Sequence, residues 1–107
     1  MEKYAWITTL KPNKKEEYIK RHNEIWPSMK EVLTKAGIVN YSIWIVDDKI
    51  FGYYECEYGK EYASKIQNES EVVKKWDEYM KDVTDISKDP ITKAQLSLEQ
   101  VFDFNGR

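Results

Sequence analysis

Between residues 3 and 10 the chain alternates Tyr4, Trp6 and Thr8 against Ala5, Ile7 and Thr9. That period of two puts successive side chains on opposite faces of a strand, and aromatic and β-branched residues fill it throughout. Pro12 and Asn13 end the pattern, and Asn13 followed by Glu16 predicts a helix N-cap with its capping box. The period then becomes helical. Tyr18, His22, Ile25, Trp26, Met29, Val32, Leu33 and Ala36 share one face, and Gly37 stands where a helix end favours glycine. Pro27 interrupts this stretch. A proline inside a helix removes a backbone hydrogen bond and costs ~3 kcal/mol, so a kink or a restart is expected near Trp26.

Residues 39–46 alternate Tyr41, Ile43 and Ile45 against Ser42, Trp44 and Val46, and residues 50–57 alternate likewise after the polar turn Asp47-Asp48-Lys49, which predicts a hairpin. Beyond Gly59 comes a short helical patch around Tyr62 and Ile66. A second start follows at Asn68 or Ser70, with Val72, Val73, Trp76, Tyr79, Met80 and Val83 carrying the period. Residues 84–95, with Pro90, read as an irregular connection, and the alternation of Leu98, Gln100, Phe102 and Phe104 predicts a closing strand over 96–104. The order β-α-β-β-α-β is that of a ferredoxin-like α+β domain, an antiparallel sheet with both helices on one face. Both strand parities carry large residues, Trp6 against Ile7 and Trp44 against Ile43, so the second sheet face needs a cover. A second copy packing sheet to sheet would supply it, burying in particular Trp6 and Trp44, which a lone sheet would leave exposed.

Composition narrows the function. The 107 residues suit one domain spanning 1–107, and 41% hydrophobic with 34% charged residues describes a globular chain. Lys and Arg total 17 against 19 Asp and Glu, a net charge of −2 that gives no bulk attraction for nucleic acid. The longest apolar run, residues 43–46, falls far short of the ~20 a membrane helix needs, and the N-terminal residues lack a secretory pattern, so a cytoplasmic protein is expected. Cys56 is the only cysteine and His22 the only histidine, which excludes an internal disulfide and gives poor material for zinc. With only 4 glycines there is no phosphate loop, and no Gly-x-Ser-x-Gly elbow occurs. Glu55 and Glu57 share a strand parity and could pair as catalytic carboxylates, although a solvated strand end is the simpler reading. The unusual number is the aromatic content of 14%, from 8 Tyr, 4 Trp and 3 Phe. Phenol and indole combine an apolar face with a polar edge, which suits a pocket for a polar organic ligand.

His22 lies on the apolar stripe of the first helix, one turn after Tyr18 and one turn before Trp26. A histidine so placed is either packed at the core edge with its nitrogens bonded or an acid/base group, because imidazole exchanges a proton near neutrality. Aromatic faces beside a few polar atoms suit a sugar. Lacking a nucleophile or a metal cluster, such a pocket is suited to proton transfer. Anomer interconversion needs little more: the O1 hydroxyl loses a proton, the ring oxygen gains one, and the open aldehyde recloses on either face.

The block Glu17-Tyr18-Ile19-Lys20-Arg21-His22-Asn23-Glu24-Ile25-Trp26-Pro27, followed by Asn40-Tyr41, by Trp76-Asp77-Glu78-Tyr79-Met80 and by the closing Leu98-Glu99-Gln100-Val101-Phe102, resembles the L-rhamnose mutarotases over nearly the whole chain. The resemblance implies a homodimeric α/β barrel of ferredoxin-like subunits that interconverts the pyranose anomers of L-rhamnose in the cytoplasm without a cofactor. It further implies that His22 is the proton donor and that Tyr18, Tyr41 and the Trp76 region hold the monosaccharide. Asp77 departs from the pattern. The family commonly has a second tryptophan there, so a carboxylate replaces an indole among the expected substrate contacts, and a relative of L-rhamnose such as L-fucose enters the range of substrates. Two other classes remain open: a haem- or quinone-type monooxygenase on a dimeric barrel, and a sugar-binding module without turnover.

Overall fold

A computed structural model of the chain describes residues 1–85 and 96–104. Its elements run β1 (Glu2–Leu10), α1 (Lys15–Asn23), α2 (Pro27–Lys35), β2 (Ile38–Val46), β3 (Lys49–Cys56), α3 (Lys60–Asn68), α4 (Glu71–Tyr79) and β4 (Thr84–Asp85). The strands form one antiparallel sheet in the order β2-β3-β1-β4. This is the ferredoxin-like α+β plan with the helix of each crossover split in two. The first split is made by Pro27, which occupies the start of α2, where its missing N–H is no loss. Trp26 before it is held extended at φ −62° and ψ 137°, the conformation a following proline favours. The expected break is therefore a restart. The second split falls at Ser70, whose hydroxyl accepts the Val73 N–H at 3.3 Å. The expected capping box at Asn13 and Glu16 does not form. Asn13 takes a left-handed turn at φ 62°, and the N-cap of α1 falls one residue later, on Lys14, without a side-chain hydrogen bond.

Trp6, Thr8 and Leu10 of β1 face the helices together with Ile50, Tyr54 and Cys56 of β3, and Tyr18, Met29, Ala36, Ala63, Trp76 and Met80 close over them. Ile50 and Val83 are wholly buried at its centre, and each such aliphatic side chain contributes about 1.5–3 kcal/mol. Trp6 thus belongs to the helix side, 6% exposed, and not to the face expected to need a partner. Gly52 stands opposite it, and a Cβ there would overlap the Trp6 indole, so the ring lies flat across β3 only because that residue is glycine. The other face carries Ile7, Phe51 and Trp44, with Trp44 68% exposed.

The end of the chain departs from expectation. β4 follows α4 at once, pairing Thr84 and Asp85 with Leu10 and Thr9, where an irregular connection was expected. Most of that connection, residues 86–95, lies outside the described residues. The predicted closing strand over 96–104 reduces to one bridge, Ser97 to Trp6, flanked by the Ile7 N–H to Leu96 carbonyl bond at 3.3 Å and the Leu98 N–H to Ala5 carbonyl bond at 2.7 Å. In that antiparallel register β1 runs out of residues before Asp103, which instead meets the Lys3 ammonium at 2.9 Å. The alternation of the closing residues is thus a strand pattern without a ladder among the described residues.

Candidate active site

Between the helices and the sheet lies a cavity of about 410 Å³, within the range of small-ligand pockets. Tyr18, His22, Tyr41, Trp76 and Asp77 all line it, so the five site residues expected from the sequence come from α1, β2 and α4 to one place. One helical turn separates Tyr18 from His22, and their rings stack with centroids 4.2 Å apart. The Trp76 indole meets the His22 ring edge to face, 5.5 Å away at 88°. Arg21 fastens the two helices that carry these groups. Its guanidinium grips Asp82 at 2.9 and 3.3 Å, donates to the Tyr79 carbonyl at 2.8 Å and to Glu17 at 3.1 Å, and lies 4.4 Å over the Tyr79 ring.

The protonation states follow from these contacts. His22 Nδ1 lies 3.1 Å from the Tyr18 carbonyl oxygen, which can only accept, so the neutral ring carries its proton on Nδ1 and presents Nε2 as a base. Burial disfavours the imidazolium and lowers the His22 pKa below its ordinary 6.5, outweighing the opposing hydrogen bond to Tyr18. Burial acts in the opposite sense on the phenols, raising both Tyr18 and Tyr41, which remain neutral donors at any physiological pH. Tyr41 is 37% exposed as a residue, but its hydroxyl end is deep and accepts the Trp6 indole N–H at 3.1 Å, leaving its own proton to donate. Tyr54, behind it at 5.0 Å, is pushed up to about 12, chiefly by burial, against a lowering hydrogen bond with Gln67.

Other expectations fare differently. Trp26, on the same sequence stripe as His22, does not line the cavity. The restart at Pro27 turns it against Trp76 at 5.0 Å and Tyr79 at 5.4 Å, where it backs the indole that does. Glu55 and Glu57 are no catalytic pair: neither lines the cavity, Glu55 binds the Asn40 amide, and Glu57 is exposed. The structure adds Trp6, Thr8, Gln67 and Thr84 to the lining. The shared parity of Trp6 and Thr8 on β1 was a usable signal; Gln67 and Thr84 carried none.

A lone imidazole fixed in one tautomer, set among indole faces and neutral hydroxyls on a ferredoxin-like sheet, suits proton transfer on a small polyhydroxylated ligand. Comparison with known proteins narrows this. The profile described as L-rhamnose mutarotase matches residues 3–104. A protein of Listeria monocytogenes named L-rhamnose mutarotase is 48% identical over 82 residues, 75% of this chain and 77% of its own. One from Oceanobacillus iheyensis with the same name is 39% identical over 104 residues, covering 95% and 97%. The crystal structure of L-rhamnose mutarotase from Formosa agariphila superposes with a TM-score of 0.81 at 28% identity, over 98% of this chain and all of that one. The chain belongs to the L-rhamnose mutarotase family.

Proposed function

We propose that the protein is an isomerase that interconverts the α and β pyranose anomers of L-rhamnose or of a closely related sugar such as L-fucose. The observation that carries this reading is His22, neutral through burial and fixed on Nδ1 by the Tyr18 carbonyl, beside Tyr18 and Trp76 in the cavity. Family membership supports it over the monooxygenase alternative. In the proposed step His22 Nε2 takes the proton of the O1 hydroxyl. The C1–O1 bond becomes a carbonyl, the C1–O5 bond breaks with its electron pair going to O5, and the imidazolium returns the proton to O5. Because O1 and O5 are bonded to the same carbon, one imidazole reaches both. Rotation about C1–C2 and the reverse sequence then close the ring on either face. Tyr18 and Tyr41 donate hydrogen bonds to the sugar oxygens, Trp76 packs against its C–H face, and Asp77 accepts from a hydroxyl. Saturation-transfer NMR on L-rhamnose tests the proposal: His22→Asn should keep the fold and slow anomer exchange ~10²-fold or more. Exchange at the wild-type rate would make the histidine structural, and binding without exchange in the wild type would leave a sugar-binding module.

The active form is proposed to be a homodimer closing into an α/β barrel. What supports a second copy as the cover is the apolar open face of the sheet, with Trp44 68% and Val46 55% exposed, beside chain-end residues Val101, Phe102 and Phe104, at 87%, 80% and 77%. Light scattering at micromolar concentration should return twice the chain mass of 12.8 kDa; a clean monomer with undiminished activity would remove the barrel. No helix among the described residues is long and apolar enough to cross a membrane, and the buried free thiol of Cys56 suits a reducing compartment such as the cytoplasm.

A further inference from the structure

Strand β2 places two residues, Asn40 and Tyr41, between Val39 opposite Glu55 and Ser42 opposite Tyr53, so both face the single Tyr54 of β3. This is a β-bulge, and it decides which residues share a face. Ile38, paired with Cys56, points to the helix-covered core. Unbroken alternation from Ile38 would put Asn40 on that side and turn Tyr41 to the open face. With the extra residue, Tyr41 joins the helix side instead. Its ring reaches Tyr54 at 5.0 Å and its hydroxyl meets the Trp6 indole N–H at 3.1 Å. The bulge turns on Asn40, whose φ of 52° lies in the left-handed region that asparagine tolerates and most residues resist. Its side-chain amide donates to Glu55 Oε1 at 2.5 Å, tying the bulge to the neighbouring β3.

We infer that Asn40 is a positioning residue of the site: its left-handed backbone turns Tyr41 from the open face of the sheet into the cavity. The role deepens the mutarotase reading and rests on it only where sugar is the readout.

Two substitutions separate backbone from side chain. Asn40→Ala removes both the amide and the tolerance for positive φ, whereas Asn40→Gly removes the amide alone. Two measurements follow each variant: the indole N–H resonance of Trp6, identified by its loss in Trp6→Phe, and KM and kcat for L-rhamnose from anomer-exchange NMR. Asn40→Ala should displace the Trp6 resonance and raise KM about 10-fold, as for one hydrogen bond lost to the sugar, with kcat changed by less than about 3-fold. Asn40→Gly should restore both toward wild type. An unmoved Trp6 resonance in folded Asn40→Ala would overturn the inference, as would an Asn40→Gly protein displaced as far as Asn40→Ala. Should Asn40→Ala not fold, Asn40→Gly decides alone: a wild-type Trp6 resonance supports the assignment and a displaced one overturns it. The resonance is read without sugar, so a protein inactive on L-rhamnose would sink the proposed activity while the positioning role was still decided.

Discussion

Replacing Gly52 by alanine should destabilise the protein, and the sign is what makes the substitution informative. In a strand interior, alanine is ordinarily the better residue by about 0.5–1 kcal/mol, because glycine loses more backbone freedom on folding. Position 52 reverses that expectation, since a Cβ there would lie within the indole of Trp6. The indole is rigid and 6% exposed, and its Nε1 is engaged by Tyr41, so it cannot swing aside freely. Overpacking of this kind costs about 1–3 kcal/mol. Displacing the ring also strains or breaks the bond to Tyr41, worth about 0.5–1.5 kcal/mol. After subtracting the gain in strand propensity, the net loss is about 1–3 kcal/mol. For a domain of this size that corresponds to a fall in Tm of about 5–20 °C. Urea denaturation of wild type and Gly52→Ala measures the loss, and the same substitution in a Trp6→Leu background isolates its cause. There the space above position 52 is open, and Gly52→Ala should become neutral or stabilising, a coupling that contacts between neighbours produce and distant effects do not. A single variant as stable as wild type, or an equal loss in both backgrounds, would refute the argument that the indole occupies the space of the missing Cβ.

Activity should rise with pH along a single ionisation whose midpoint lies below the ordinary histidine value of 6.5, and run flat through neutrality, because the proposed step uses the base form of His22 and burial lowers its pKa; activity that falls as pH rises through this range would contradict the proposed direction of the first proton transfer. The same shift acts on stability. The unfolded chain binds this proton more readily than the folded one, so His22 destabilises the fold as pH falls from the ordinary histidine value through the lowered one, and its effect is absent above that window. Denaturation of His22→Asn across that range should show a flatter profile than wild type. At position 77, Asp77→Asn should weaken one sugar by roughly 1.5–3 kcal/mol relative to its epimers, and Asp77→Trp should move preference toward L-rhamnose. Sugar-to-sugar ratios unchanged in both variants would take Asp77 out of substrate selection.

The sequence by itself determined what is encoded over a few neighbouring residues. Alternation marked β1, β2 and β3, Pro27 marked a break in the helix, Asn68 or Ser70 marked the start of α4, and the spacing of Tyr18 and His22 put phenol and imidazole one above the other. These are local because backbone period, proline geometry and helix pitch act within one or two turns of chain. Tertiary structure alone decided the rest. Thr84 and Asp85 became a strand because the edge of β1 was open beside them, and residues 99–104 formed no ladder, although their alternation looked the stronger signal. Trp6 proved to lie on the helix side, where Gly52 on the neighbouring β3 leaves room for its ring, and Tyr41 entered the cavity through a bulge that exists only relative to β3. A strand or a pocket is defined by its partners, and partners far apart in the chain are chosen by the closing of the sheet and the core around it.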